Sequence, residues 1–358
     1  MWVVIWFVVA KSILEQYGLP NYYFSIIYPE FKFDRVRYDA RIDPIYPCRG
    51  IHIYPHSLTQ IKRVLERMEG TELNTLVIAL KTESGYVLYD TDVELAHKIG
   101  AVTCQIPIDK VIDMCHNAGV RLVVRLVVFK DPKLAKYQSG KYAIRQRDGT
   151  IWLENGRTAW VDPYAEEAWH YVIDLAKELA AKGVDEIQFD YIRFPSRGGL
   201  VFTHKANKYK NRFEVIAGFL QSAYEQLKPL GVTISVDIYG YVTWYDLPLE
   251  GQSLRYMAPY VDVFYPMLYP SHFDRKHFAH LSSYERAYKL VHESIKLGKQ
   301  RLGENRFIPY IQGFNWRSPG FGPYYIKRQI DAARDAGAWG YLVWNAGNNY
   351  EPLWTIVK

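Results

Sequence analysis

The chain has 358 residues, 49% of them hydrophobic and 23% charged, a balance that fills a core and argues against disorder. A formal charge of +6 with no long basic run excludes the electrostatics of a nucleic-acid binder. Three cysteines, Cys48, Cys104 and Cys115, are too few and too far apart for a disulfide scaffold or a zinc module.

At the N-terminus, Met1 to Ala10 (MWVVIWFVVA) is continuously apolar and stops at Lys11. A bilayer span needs roughly 20 such residues. The stretch therefore reads as a degenerate or truncated export signal or anchor, which implies an extracytoplasmic, secreted or envelope-anchored protein with a membrane-associated N-terminus. A hydrophobic edge strand in a cytoplasmic protein is the alternative. Residues 1–47 form this segment and a lead-in, and residues 48–358 form the main domain.

From Arg49 onward, short β-rich runs alternate with helix-period segments. The predicted strands are Ile51–Tyr54, Thr75–Lys81, Arg121–Phe129, Glu186–Ile192, Thr233–Tyr239, Val261–Met267, Phe307–Gln312 and Gly340–Asn345. Several intervening helices end in a glycine placed as a stop signal, at Gly119, Gly183, Gly231 and Gly337. Eight strands separated by helices predict an α/β fold, the (β/α)8 TIM barrel. A doubly wound sheet is the runner-up, but no glycine-rich phosphate fingerprint follows the first strand. Long βα insertions follow strands two (residues 82–107) and three (residues 130–162). Loops of that kind line the substrate face of a barrel. The segment RQRDGTIW predicts a hairpin turn at Asp148-Gly149, and Trp152 or Trp160 is expected to reach toward a ligand.

Strand alternation assigns faces. Outward Ile234, Val236 and Ile238 leave Ser235, Asp237 and Tyr239 inward, and outward Ile187 and Phe189 leave Gln188 and Asp190 inward. By the same rule Lys81, Arg125, Gln312 and Asn345 are expected inward. A carboxylate inside a barrel is costly unless paired or solvated at its mouth, and here two occur on consecutive strands. With strands about 4.8 Å apart, Asp190 and Asp237 reach the spacing of a retaining glycosidase pair, about 5–5.5 Å, or the wider inverting one. Lys81, Arg125 and Arg193 would hold one of them ionised while its charge raises the pKa of the other. The competing reading is a structural salt-bridge layer, Asp190 with Arg125 and Asp237 with Lys81.

Glu83, just past the second strand, is a third candidate carboxylate, or simply a solvated loop residue. His52 and His56 flank the first strand end, placed to bind a sugar hydroxyl or to serve as structural histidines. His272, His277 and His280 lack metal-ligand spacing, so no metal is expected. Aromatic residues make up 16% of the chain, with 30 Tyr and 10 Trp. Their apolar faces suit either a large core or the C–H faces of sugar rings. Trp244, Tyr245, Tyr269, Trp316 and Trp344 lie at or past strand ends, as stacking platforms of a cleft or as loop anchors.

The blocks RGIHIYPHS, ALKTESGYVLYDTDVELAHKIGA, RLVVFKDPKLA, AWVDPYAEEAW to DEIQFDYIRFPS, SVDIYGYVTW, DVFYPMLYPSHF and YLVWNAGNNY together resemble a glycoside hydrolase domain family of largely uncharacterised bacterial TIM-barrel proteins. The similarity runs from about residue 48 to the C-terminus. DPYAEEAW and IQFDYIRFP are also similar to more distant amylase-like hydrolases, and that resemblance implies a catalytic place for the aspartate closing the fourth strand, here Asp190. The family tends to carry an acidic pair after the second-strand lysine. This chain has Lys81-Thr82-Glu83, which leaves Glu83 as the acidic residue there.

The expectation is hydrolysis of a poly- or oligosaccharide by paired carboxylates, with no cofactor. Retention of configuration is expected, with Asp190 as nucleophile, Asp237 as acid/base and Glu83 in reserve as the acid. Lys81, Arg125, Arg193, His52, Tyr239, Trp244, Tyr269, Gln312, Trp344 and Asn345 are the expected substrate-binding residues. A non-catalytic carbohydrate-binding barrel of the cell envelope is the alternative. An enzyme of phosphorylated metabolites is disfavoured because the loops after strands seven and eight hold no glycine-rich phosphate site.

Overall fold

The computed structural model describes residues 47–205 and 208–358. The expected signal or anchor at Met1–Ala10 lies outside them. Among the described residues no helix is long and apolar enough to cross a membrane.

Eight parallel strands close a barrel: β1 (Cys48–Ile53), β2 (Thr75–Lys81), β3 (Arg121–Val127), β6 (Glu186–Asp190), β7 (Thr233–Tyr239), β8 (Val263–Met267), β9 (Tyr310–Gln312) and β10 (Gly340–Trp344). They neighbour one another in chain order, and β1 pairs with β10 to seal the ring. That seam requires a glycine: at Gly340, φ is +142° and a Cβ would stand 1.7 Å from the Cys48 carbonyl oxygen. The fold is therefore the (β/α)8 TIM barrel the alternation predicts.

The helices are α1 (Leu58–Met68), α2 (Glu94–Lys98), α3 (Ile108–Asn117), α4 (Pro132–Gly140), α5 (Glu166–Lys182), α6 (Arg212–Leu227), α7 (Leu254–Met257), α8 (Ser283–Leu302), α9 (Pro323–Asp335) and α10 (Glu351–Trp354). Their N-termini are capped where the sequence offers a short polar side chain: Ser57, Asn211 and Ser282 accept from the amides of Gln60, Glu214 and Glu285. All four predicted stop glycines have positive φ, with Gly183 forming the left-handed cap of α5.

The main core lies between barrel and helices and holds Ile78, Val124, Ile187, Val236 and Ile238. A second cluster fills the barrel with Cys48, Val77, Val123, Val263, Tyr265, Ile308, Tyr310 and Leu342. The first insertion carries α2. The second carries α4, the predicted turn at Asp148-Gly149 bracketed by an Arg145–Ile151 bridge, and the hairpin β4 (Leu153–Glu154) with β5 (Thr158–Ala159).

Lys81 departs from the alternation. Ala79 pairs with Arg125 but Lys81 with Leu126, so a bulge at Leu80 shifts the register by one residue. Lys81 is thereby turned out of the barrel. Its ammonium meets Asp131 at 2.7 Å, both side chains being fully buried, donates to the Val127 carbonyl at 2.8 Å, and lies 5.5 Å from the centre of the Tyr171 ring on α5. The proposed Asp237–Lys81 bridge does not form.

Candidate active site

At the C-terminal mouth of the barrel a cavity of about 830 Å³ is lined by residues from most of the strand ends. Phe189 pairs with Val236, so Asp190 and Asp237 occupy the next register position on adjacent strands. Both side chains line the cavity. One layer deeper, Gln188 accepts a hydrogen bond from the Tyr310 hydroxyl at 2.8 Å and closes the floor.

The two carboxyl groups have different surroundings. Asp190 Oδ2 accepts from Arg125 Nε at 2.8 Å and Nη2 at 2.5 Å, while its Oδ1 accepts from the Tyr191 amide at 2.5 Å. Asp237 Oδ2 lies 3.9 Å from Arg125 Nε, and its Oδ1 has no partner among the described residues. Burial pushes the Asp237 carboxyl well above its ordinary range; the Asp190 charge and a hydrogen bond to Asp190 push the same way, and Arg125 opposes them. The site therefore pairs a carboxylate clamped by a guanidinium with a buried carboxyl whose pKa is raised. Half of the salt-bridge layer exists, on the Asp190 side.

Tyr191 has φ +50°, a left-handed conformation unfavourable for a bulky side chain. That turn lets the Tyr191 amide fold back onto Asp190 and puts the Tyr191 ring in the cavity wall, edge-on to Trp160 at 5.7 Å.

Glu83 also lines the cavity, and its Oε2 is sealed from solvent without a partner among the described residues. The bulge at Leu80 turns Lys81 outward, and the chain then brings Glu83 to the mouth. Arg125 stands between, on β3, where the nearby carboxyl groups of Asp190, Glu83 and Asp237 offset its burial. His52 forms part of the lining with both ring nitrogens buried and unpartnered; burial, then the Arg125 charge, depresses its pKa well below the usual histidine range, so the imidazole is neutral.

Of the other expected residues, Arg193, Tyr239, Tyr269, Trp344 and His56 line the cavity, with Tyr269 and Trp344 stacked at 5.4 Å. Trp244, Gln312 and Asn345 do not. A 3-10 turn after β7 carries Trp244 away, where its indole N–H donates to Ser294 on α8 at 2.7 Å. Gln312 braces two loops, accepting from the Ser271 amide and donating to the carbonyls of Phe314 and Trp316. Asn345 ties its own loop through Gly313, Gly347 and Asn349. Trp152 and Trp160 are buried rather than facing a ligand. Tyr245 and Trp316 are exposed outside the cavity.

Sequence reasoning missed Tyr54, Tyr191, Tyr241, Met267, Phe273 and Tyr310 as lining residues, and set His272 aside with the histidine cluster. Tyr54 and Tyr310 were within reach of the alternation rule, two residues from His52 and Gln312. Tyr191 was not, because its left-handed backbone breaks the alternation. Among the described residues no group of three or more His, Cys, Asp or Glu side chains is placed to hold a metal ion.

A family model described as "Putative glycosyl hydrolase domain" matches residues 50–350. No curated protein matches the chain. Among solved structures, a hypothetical protein from Ruminiclostridium thermocellum ATCC 27405 is 35% identical over 52% of this chain and 96% of its own, with a TM-score of 0.48. The glycoside hydrolase domain of PgaB (BpsB) from Bordetella bronchiseptica aligns over 83% of this chain and 93% of its own at 14% identity and a TM-score of 0.61. The endo-1,4-β-D-mannanase of Thermotoga petrophila RKU-1 aligns over 84% and 88% at 14% identity and 0.56. At these identities the last two are likenesses of fold alone.

Proposed function

We propose, given that the chain belongs to this glycosyl hydrolase domain family, that it cleaves glycosidic bonds of a poly- or oligosaccharide with the carboxyl groups at the barrel mouth. The observation that carries the reading is the asymmetric pair: Asp190 clamped by two nitrogens of Arg125, beside the buried Asp237, whose Oδ1 has no partner among the described residues. Asp190 is the carboxylate that attacks, or steadies positive charge at, the anomeric carbon. Asp237 is the neighbouring proton source, and the stacked Tyr269 and Trp344 present aromatic faces to a sugar ring.

A specific observation favours a second assignment of the acid. Glu83 also lines the cavity, on the far side of β3 from Asp190, and its Oε2 is buried without a partner among the described residues. In this version Glu83 protonates the leaving oxygen and Asp237 tunes Asp190. Azide rescue separates the roles. Asp190→Ala should recover activity with azide and yield a glycosyl azide of inverted configuration. The acid variant, Asp237→Ala or Glu83→Ala, should keep activity on substrates with activated leaving groups. Rescue at position 237 instead of 190 would reverse the assignment, and an inverted first product from the wild-type protein would exclude retention.

The alternative of a non-catalytic sugar-binding barrel would suit two clamped carboxylates. Here only Asp190 is clamped; Asp237 is buried at 3.9 Å from the same guanidinium with its Oδ1 unpartnered among the described residues, a burial cost that sugar binding alone does not require.

A further inference from the structure

Arg193 is the cation of the cavity that has no acid. Only 8% of its surface is exposed and it lines the cavity, yet it forms no ion pair among the described residues. Its one hydrogen bond runs from Nη1 to the Phe194 carbonyl at 3.1 Å. Aromatic rings surround the guanidinium: Tyr239 at 4.6 Å, Trp160 at 4.8 Å and Tyr191 at 5.4 Å from its central carbon. The nearby ammonium of Lys130 is satisfied separately, by Glu154 at 2.7 Å.

A guanidinium this far removed from water is unfavourable without a counter-charge. Contacts with aromatic faces recover only part of that, of order 1 kcal/mol each. They also fix its plane. With Nη1 engaged, Nε and Nη2 remain as an edge without a protein partner and are not sealed in the interior. Two parallel N–H donors on a rigid fork match the oxygens of a carboxylate, sulfate or phosphate. Arg125 shows the contrast in the same cavity, with its Nε and Nη2 both spent on Asp190.

From this we infer that Arg193 is an anion-recognition residue, and that the saccharide taken by the cavity carries an anionic substituent, such as the carboxylate of a uronic acid, on a sugar bound beside Asp190. The inference rests on the proposed saccharide site and specifies its substrate class. Trp160 and Tyr191 pack against the guanidinium, and through Trp160 the second insertion has a share in specificity.

The test is equilibrium binding by calorimetry of the wild-type full chain and of Arg193→Gln, with reducing-end release read in the same samples. The probes are oligouronides, the same oligomers after carboxyl reduction, and sulfated and phosphorylated neutral oligomers. Wild-type protein should bind at least one charged series about tenfold or more tightly than its neutral counterpart, and Arg193→Gln should lose that difference while its affinity for neutral oligomers changes less than about twofold. The series preferred identifies the anion. Should Arg193→Gln fail to fold, Arg193→Lys, which keeps the charge without the fork, should retain part of the preference. Equal affinity for charged and neutral oligomers, or no binding of any charged series, overturns the inference. Hydrolysis of a neutral polysaccharide by wild-type protein that binds no charged series more tightly than its neutral counterpart overturns it while sparing the glycosidase reading. Arg193-dependent binding without reducing-end release sinks that reading and keeps this one.

Discussion

Arg125 binds Asp190 through two nitrogens, at 2.8 and 2.5 Å, and leaves Asp237 at 3.9 Å, although the two aspartates occupy equivalent positions on adjacent strands. One guanidinium thus divides a pair at equivalent positions into a clamped and a looser member. Burial, and then the charge of Asp190, raises the pKa of the looser one, Asp237.

That division has a pH signature. The folded-state pKa of Asp237 is raised above an unfolded value of about 3.9, so the folded chain binds this proton more tightly than the unfolded chain. Its contribution to stability is lost as pH rises from about 4 through the folded-state pKa. Asp237→Asn should flatten this dependence and match or exceed the wild-type melting temperature at alkaline pH. A melting-temperature difference that stays constant between pH 4.5 and 8.5 would contradict it.

Removing the charge of Asp190 should have the opposite effect on the fold. Asp190→Asn leaves the buried Arg125 without its counter-charge, and loss of one partner of such a pair costs roughly 3 kcal/mol. Denaturant unfolding should show this loss for Asp190→Asn and a smaller one for Asp237→Asn. Equal losses would mean that Arg125 serves both alike.

Lys81 should prove a residue of the fold. Lys81→Met strands Asp131 in the interior and should lower stability by about 3–5 kcal/mol, leaving KM unchanged wherever the protein remains folded. A large rise in KM with unchanged stability would return Lys81 to the cleft.

Trp344 and Trp244 should separate in the same way. Trp344→Ala removes a ring stacked on Tyr269 in the cavity lining and should weaken oligosaccharide binding roughly tenfold. Trp244→Ala should lower the melting temperature, because that side chain anchors a loop to Ser294, and leave binding unchanged. Calorimetry on the pair of variants distinguishes them.

The fold was legible because its signal repeats. Strands β2 and β7 run over the residues predicted for them, and β3, β6, β8, β9 and β10 fall within their predicted ranges. Period-two burial placed the helix-facing residues of β7 and β6 correctly, which left Asp237 and Asp190 to the cavity. The rule failed where the backbone leaves the regular strand. At Leu80 a bulge reverses the face of Lys81, and at Tyr191 a positive φ brings a side chain into the cleft that alternation does not assign. Beyond the strand ends there is no period at all: Trp244 and Trp344 look alike in sequence, and only the turn after β7 and the partners it supplies send one outward and keep the other at the mouth. Asp131, the true partner of Lys81, lies 50 residues further along the chain in a loop whose path the sequence does not reveal.

The most direct test of the account is reducing-end release from a panel of neutral and acidic polysaccharides by wild-type protein and folded Asp190→Asn, measured side by side. The expected result is release by the wild-type protein on at least one substrate, falling by about 10³-fold or more in Asp190→Asn. Saccharide binding without any release by the wild-type protein, or release that survives in Asp190→Asn, would contradict the claim that this carboxylate performs glycosidic cleavage.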